Sequence, residues 1–268
     1  MDRRQDRRPP PTHLRAPVLP RPQLNLVRWL ECRGQSRRGY SSQRVCPGST
    51  KDKMNLDRMF RTAHAQGWAL EKGTISDLQL QAHSLGWQEV PTRRNDATAV
   101  STLRPTPQHE AHPQSLSATY GLGAQPLHTD GAHLPDPPDW VVLSSETANA
   151  TPTKLLKIAG QLTVTPWDAL REGMFLIKNG RDSFYAPALS GRRHRFDPGC
   201  MEACDDRSAT VAAQIAARAS DAYEHHWTVP GQVLLIDNRE TLHARAAVVP
   251  GDANRQLIRI AYRETDAR

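Results

Sequence analysis

The sequence predicts a mainly β domain with flanking helices, a sandwich or jelly roll, and two observations carry that prediction. Short segments rich in Val, Ile, Leu, Thr and Tyr recur beyond residue 115, many of them bounded by Gly, Pro, Asn or Asp, as strands between turns are. Stretches with helical spacing are few, and many short strands with few helices argue against a doubly wound sheet. The strand candidates are Leu116–Tyr120, Trp140–Thr147, Lys154–Ile158, Met174–Ile177, Gly231–Asp237, Thr241–Val248 and Gln256–Arg263. No internal repeat at solenoid spacing is present.

Four helices are predicted around them. Asn55–Gly67 places Leu56, Met59, Phe60 and Ala63 at helical spacing and ends on a Gly that suits a C-terminal cap. Thr74–Leu85 is a second, shorter helix with Thr74 or Ser76 as N-cap. Thr165–Gly173 has a Thr cap, Pro at its first position and Gly at its end. Ser208–His226 carries Val211, Ile215, Ala219 and Ala222 along one face behind Asp206 and Ser208 as caps. This reading puts His225 and His226 at a helix C-terminus, where the dipole favours them. Trp140 and Trp227 are expected as core anchors. Residues 90–115 are polar and proline-bearing and read as a long loop, a feature that is often functional.

Composition sets the outer bounds. A chain of 268 residues with 38% hydrophobic and 24% charged residues suits one globular domain, at most with an appendage. Its longest apolar runs, such as Trp140–Leu143 and Val233–Ile236, fall far short of the roughly 18 residues a membrane span needs. Cys32, Cys46, Cys200 and Cys204 form no disulfide framework and no CxxC pair, so a reducing cytoplasm is the simplest compartment.

The net charge of +7 is unevenly placed. Residues 1–53 hold 13 Lys and Arg against 4 Asp and Glu, a local charge of +9, and 54–268 carry 22 against 24. The first segment also has 7 of the 21 prolines and no sustained apolar pattern, which predicts disorder. A signal peptide would need an apolar core that Leu24–Leu30 does not supply, and a transit peptide would avoid Asp2, Asp6 and Glu31. An Arg-rich arm binding phosphate charge is the second option, without an ordered or aromatic element to specify a site. The third takes Met54 as the working start, with 1–53 an upstream extension and 54–268 the working domain. Net charge thus gives no support to a nucleic-acid partner, and oligomeric state stays open, a homo-oligomer included.

The chemistry is suggested by histidines. Gln125-Pro-Leu-His128-Thr-Asp130 holds an HxD pair, and residues two apart on an extended segment face the same side, where both reach one metal ion. Chance alone gives about 0.7 such pairs for 11 His and 18 Asp in 268 residues, so the pair means little by itself. The segment Pro230-Gly-Gln-Val-Leu-Leu-Ile-Asp-Asn-Arg-Glu-Thr-Leu-His243-Ala-Arg245 adds a buried strand, a turn at Asp237-Asn238 and a second strand with His243. Downstream, Arg255, Arg259 and Arg263 share one face by the period of two, opposite Ile258, Ile260 and Tyr262. Either that face is solvated or one arginine anchors an anionic ligand inside.

From about residue 118 to 263 the sequence resembles the taurine dioxygenase and clavaminate synthase superfamily of iron(II)- and 2-oxoglutarate-dependent oxygenases. The likeness is strongest in YGLGAQPLHTDGAH and in PGQVLLIDNRETLHAR followed by RQLIRIAYR. It implies a distorted double-stranded β-helix (jelly roll). It also implies that His128, Asp130 and His243 form a 2-His-1-carboxylate facial triad for Fe(II), with open positions for 2-oxoglutarate and O2. The distal carboxylate of 2-oxoglutarate would pair with an arginine, whose planar fork suits it. Arg255-Gln-Leu-Ile-Arg259 resembles the family's pair four apart, with Arg255 favoured for 2-oxoglutarate and Arg259 its rival. Thr153 matches the hydroxyl that helps hold this carboxylate. The usual Gly-Gly before it is replaced by Ala150-Thr-Pro152, so Thr151 stays an alternative. The implied reaction is decarboxylation to succinate and CO2 coupled to oxidation of an unactivated C–H bond of a small molecule. The intact Asp130 favours hydroxylation, or a desaturation or cyclisation variant, over halogenation.

Other residues are weighed against plainer roles. His133 either faces substrate or is an exposed loop residue, and Arg245 meets an anionic substrate or a salt-bridge partner. Cys200, Cys204 and His194 lack a second pair for zinc. Residues 90–115 and 180–200 are expected to form a lid, and Arg181, Arg192, Arg193 and Arg195 in the second hint at an anionic substrate. The alternative from another class is a non-catalytic jelly-roll or cupin-like binding protein with a basic interaction arm.

Overall fold

The computed structural model describes residues 54–92, 98–158, 167–180 and 182–265. The readings of residues 1–53, and of Thr165 and Pro166 as a helix start, lie outside the described residues. Helix α1 (Leu56–Gln66) buries Leu56, Met59 and Ala63 at helical spacing. Asn55 caps it by accepting from the Arg58 N–H, and Gly67 at φ 101° ends it. Strand β1 (Trp68–Lys72) and helix α2 (Ile75–Ser84), capped by Thr74, follow. After β2 (Gln88–Glu89) and β3 (Ser101–Leu103) comes the short helix α3 (Leu116–Tyr120). Then come β4 (Trp140–Ser145), β5 (Asn149–Lys157), α4 (Trp167–Glu172), β6 (Met174–Ile177), β7 (Phe184–Pro187), β8 (Leu189–Ser190), β9 (Arg193–His194) and β10 (Met201–Ala203). Helix α5 (Asp206–Ala217) leads to β11 (Tyr223–Trp227), β12 (Gln232–Asp237), β13 (Thr241–Arg245) and β14 (Leu257–Arg263).

The chain is mostly strands with a few helices, as the composition of its segments predicts. The larger sheet has the order β1-β12-β4-β14-β2, with β3 also on β14, and a smaller one has the order β11-β5-β13. On the outer face of the large sheet Trp140, Val142, Val233, Leu235, Ile260 and Tyr262 pack under α1 and α2. On its inner face Val141, Leu143, Leu234, Ile236 and Leu257 meet Leu155 and Trp227 of the smaller sheet. Both faces are therefore covered, which is why β4 and β12 read as unbroken apolar runs rather than as alternations. The outer face of the small sheet, with Leu156, Leu242 and Ala244, packs against β6, β7, β10 and α5. The inward face of β13 is left to Thr241, His243 and Arg245.

Trp140 and Trp227 are fully buried, as expected of anchors. The Trp140 ring stacks on Trp87 at 5.5 Å between centroids, and the Arg239 guanidinium lies over it at 4.7 Å. Trp140→Ala is expected to cost about 3–5 kcal/mol, read as a lower urea midpoint. An unchanged midpoint would mean that this ring is no anchor.

Two predicted elements are corrected. Leu116–Tyr120 is a helical turn, not a strand: none of its residues is buried and, among the described residues, no ladder partner faces it, so its strand-favouring composition finds nothing there to pair with. The helix predicted over Ser208–His226 stops at Ala217. Beyond it, Tyr223–Trp227 pairs with β5, His225 opposite Thr153, so His225 and His226 lie on a strand and not at a helix end. Within the expected second lid, Phe184–Pro187, Leu189–Ser190 and Arg193–His194 are strands β7, β8 and β9. Strand β1 has no alternating pattern to announce it and is formed by pairing with β12.

Candidate metal centre

His128 and His243 are brought face to face by the backbone. They form an isolated antiparallel bridge, with N–H···O distances of 3.0 and 2.9 Å in the two directions, and their ring centroids lie 4.7 Å apart. Thr129 turns to the other side and bonds Phe196, so that Asp130 returns to the side of His128. The chain then leaves through Gly131 at φ 67°, where a Cβ would sit 2.7 Å from Pro138 Cδ.

One ligand atom from each of His128, Asp130 and His243 falls within 4.8 Å of the others. Asp130 Oδ1 lies 3.9 Å from His128 Nε2 and 3.8 Å from His243 Nε2. His128 Nδ1 is 3.0 Å from the Pro126 carbonyl, which calls for N–H at that nitrogen and makes Nε2 the ring atom that faces Asp130. Burial, and then the neighbouring His128, push the His243 pKa down to about 3, so its ring is neutral at physiological pH. Burial works to raise the Asp130 pKa, but Arg259 and the two imidazoles outweigh it and the net shift is downward. The cluster is thus two imidazoles and one carboxylate, the donor set of a facial site for a divalent transition metal.

Arg259 lies on the inward face of β14 and holds that carboxylate. Its Nη1 donates to both Asp130 oxygens at 3.1 and 3.3 Å, Nη2 to Thr92 Oγ1 at 2.6 Å and Nε to Ser101 Oγ at 3.2 Å. Arg255 precedes the strand and is placed differently. It is buried, donates Nη1 to the Thr151 carbonyl at 3.0 Å, and has no carboxylate within ion-pair distance among the described residues. Its pKa is pushed down to about 10 by burial first and by Arg245 second. Asp252, the nearest acid in sequence, is taken up by the Ala150 and Thr151 N–H groups and the Thr151 hydroxyl. Thr151 Oγ1 also accepts from Val249 N–H, so both its hydroxyl roles are filled. Thr153 Oγ1 accepts from Trp227 Nε1 at 3.0 Å and keeps its own hydrogen to donate.

His133 is half-buried near Asp197, Asp130 and Arg259, and Arg195 pins its loop by donating to the carbonyls of Ala132, Leu134 and Pro135. Arg245 donates to the carbonyls of Gly121 and Gly123 rather than to an acid. Three residues of the site carry no sequence signal: Thr92 and Ser101 beside Arg259, and Asn238, whose side-chain amide bonds the backbone of Asp130. Thr92 and Ser101 lie in a stretch that reads as loop, and Asn238 next to Asp237 reads as an ordinary turn.

No protein-family model matches the chain, and no curated protein does. Solved structures do. Asparagine oxygenase in complex with Fe(II), (2S,3S)-3-hydroxyasparagine and succinate superposes with a TM-score of 0.63 at 20% identity, over 77% of each chain. The non-heme iron oxygenase OrfP, in complex with Fe and alpha-ketoglutaric acid, gives 0.59 at 21% identity over 78% of each chain. PvcB from Pseudomonas aeruginosa gives 0.57 at 15% identity, over 80% of this chain and 81% of that one. The chain shares the fold of these three proteins, of which the first two are iron-dependent oxygenases.

Proposed function

We propose that this chain is an Fe(II)- and 2-oxoglutarate-dependent dioxygenase that hydroxylates an unactivated C–H bond of a small organic acid, amino acid or natural-product intermediate. In the net reaction one oxygen atom of O2 enters the product hydroxyl and the other enters succinate, while 2-oxoglutarate loses CO2. The scaffold is then a double-stranded β-helix, the inner faces of the two main sheets forming its barrel. The observation that carries the reading is the meeting of His128 Nε2, His243 Nε2 and an Asp130 oxygen in one buried cluster.

The residues fit the group. Two imidazoles and an ionised carboxylate would hold Fe(II) and leave positions for ligands from outside the protein. Bound iron supplies the redox chemistry with O2 that no side chain here can perform. The protein's share is orientation and shielding. The Pro126 carbonyl fixes the His128 tautomer, and Arg259 keeps Asp130 ionised and turned toward the histidines. Arg255 would anchor the distal carboxylate of 2-oxoglutarate, since it is a buried cation still lacking a counter-charge, and Thr153 would donate its free hydroxyl hydrogen to the same group. The side chains of His128, Asp130 and His243 are only 12%, 6% and 7% exposed, which limits the water that reaches the cluster.

The test is turnover by the full chain with Fe(II), 2-oxoglutarate and O2 against a panel of amino acids, sulfonates and natural-product acids. Amino acids come first, because the solved neighbours hold 3-hydroxyasparagine and (3S)-hydroxy-L-Arg. Succinate formation stimulated by one substrate, with a product heavier by one oxygen atom, is the expected result. Iron uptake without succinate from any substrate would favour the cupin-like binding protein, and no iron uptake at all would overturn the reading.

A further inference from the structure

We infer that Asn238 is the positioning residue for the metal-ligating carboxylate: its side-chain amide sets where Asp130 stands relative to His243. The inference rests on the iron-binding reading above and deepens it.

The geometry is a two-point clamp. Asn238 Oδ1 accepts from the Asp130 N–H at 2.9 Å, and Asn238 Nδ2 donates to the Asp130 carbonyl at 3.0 Å. The second hydrogen of Nδ2 goes to the Pro138 carbonyl at 2.9 Å. One primary amide thus meets a backbone donor and two backbone acceptors, which neither a carboxylate nor a hydroxyl can reproduce. Asn238 is 1% exposed, so these bonds form out of reach of water and their loss would leave buried groups without partners.

What makes the clamp specific to Asp130 is the bonding of its neighbours. His128 is tied by its main chain to His243, and Thr129 by its main chain and hydroxyl to Phe196. Among the described residues the Asp130 main-chain N–H and C=O bond the Asn238 amide alone. Asn238 sits at the corner where the chain leaves β12 of the large sheet for β13 of the small one, five residues before His243. Its own N–H is fixed to the Asp139 carbonyl at 2.9 Å. The corner therefore ties the Asp130 ligand to the strand carrying the His243 ligand across 108 residues of sequence. Arg259 then has only the carboxylate's rotation to settle.

Partners of this kind change metal affinity by about 10–100-fold. The test measures Co(II) affinity and the visible absorption of the Co(II)-loaded full chain, beside the melting temperature, in Asn238→Ala and Asn238→Asp. Asn238→Asp keeps the acceptor, loses both donors and turns a negative oxygen on two carbonyls, and it carries the test should Asn238→Ala not fold. Val211→Ala, a core change in α5 on the outer side of the small sheet, away from the inward face that carries His243, is the control for lost stability. Co(II) affinity lower by a factor of ten or more and a shifted visible band in the Asn238 variants, with both unchanged in Val211→Ala, is the expected result. Affinity and band both unchanged in the Asn238 variants while the wild type loads normally would overturn this inference alone. A wild type that takes up no Co(II) would overturn it together with the iron-binding reading.

Discussion

His128→Ala is expected to abolish 2-oxoglutarate turnover and to weaken Fe(II) binding by more than about 100-fold, since even outer partners of a ligand are worth 10–100-fold. The variant is informative because it leaves the fold nearly alone. The contacts that hold residue 128 in place are main-chain bonds to His243, and alanine keeps both. Asp130 retains the Asn238 amide and the Arg259 guanidinium. The loss should therefore appear in an anaerobic Fe(II) titration and in succinate release, with little change in melting temperature. Full succinate release by the variant would remove His128 from the metal centre and leave two donors, too few for a facial site.

The grouping of His128, Asp130 and His243 was legible in the sequence because HxD, a distal His and then an Arg follow one another in the order of the family it resembles, although none means much alone. Its supports were not. An Asn beside an Asp between two strands is what a turn looks like, and only a partner 108 residues away shows that Asn238 bonds Asp130. Thr92 and Ser101 acquire a role only when β14 brings Arg259 to them. The two corrected elements fail for a related reason. Ala219 and Ala222 extend the helical spacing of α5 past its end, while the competing strand pairing of Tyr223–Trp227 with β5 is non-local and invisible to a local window. Conversely Met174–Ile177 is bounded as predicted, because Gly173 and the turn after Ile177 punctuate it in the sequence itself.

Arg255→Met is expected to raise the concentration of 2-oxoglutarate needed for half-maximal turnover by about 30-fold or more, since truncating one partner of a buried charge pair costs about 2–5 kcal/mol. The same change should leave the melting temperature of the free protein unchanged or raise it. Without an anion bound, Arg255 is a buried guanidinium whose one side-chain bond among the described residues runs to the Thr151 carbonyl, and a buried cation without a counter-charge there is a cost that methionine removes. A residue that was merely structural would show the reverse, with lower stability and an unaltered co-substrate requirement. Arg259→Met supplies the contrast, because its guanidinium faces Asp130 on one side and Thr92 on the other. Losing it leaves the Asp130 carboxyl buried beside no cation, so its pKa rises and Fe(II) must displace a proton held more tightly; iron affinity falls, most at acidic pH. The two arginines four residues apart are thus told apart by two readouts: 2-oxoglutarate requirement for Arg255 and iron affinity for Arg259. Should Arg259→Met alone raise the 2-oxoglutarate requirement while Arg255→Met leaves it untouched, the anchoring role passes to Arg259, and the buried charge at Arg255 must then find its counter-ion in the substrate.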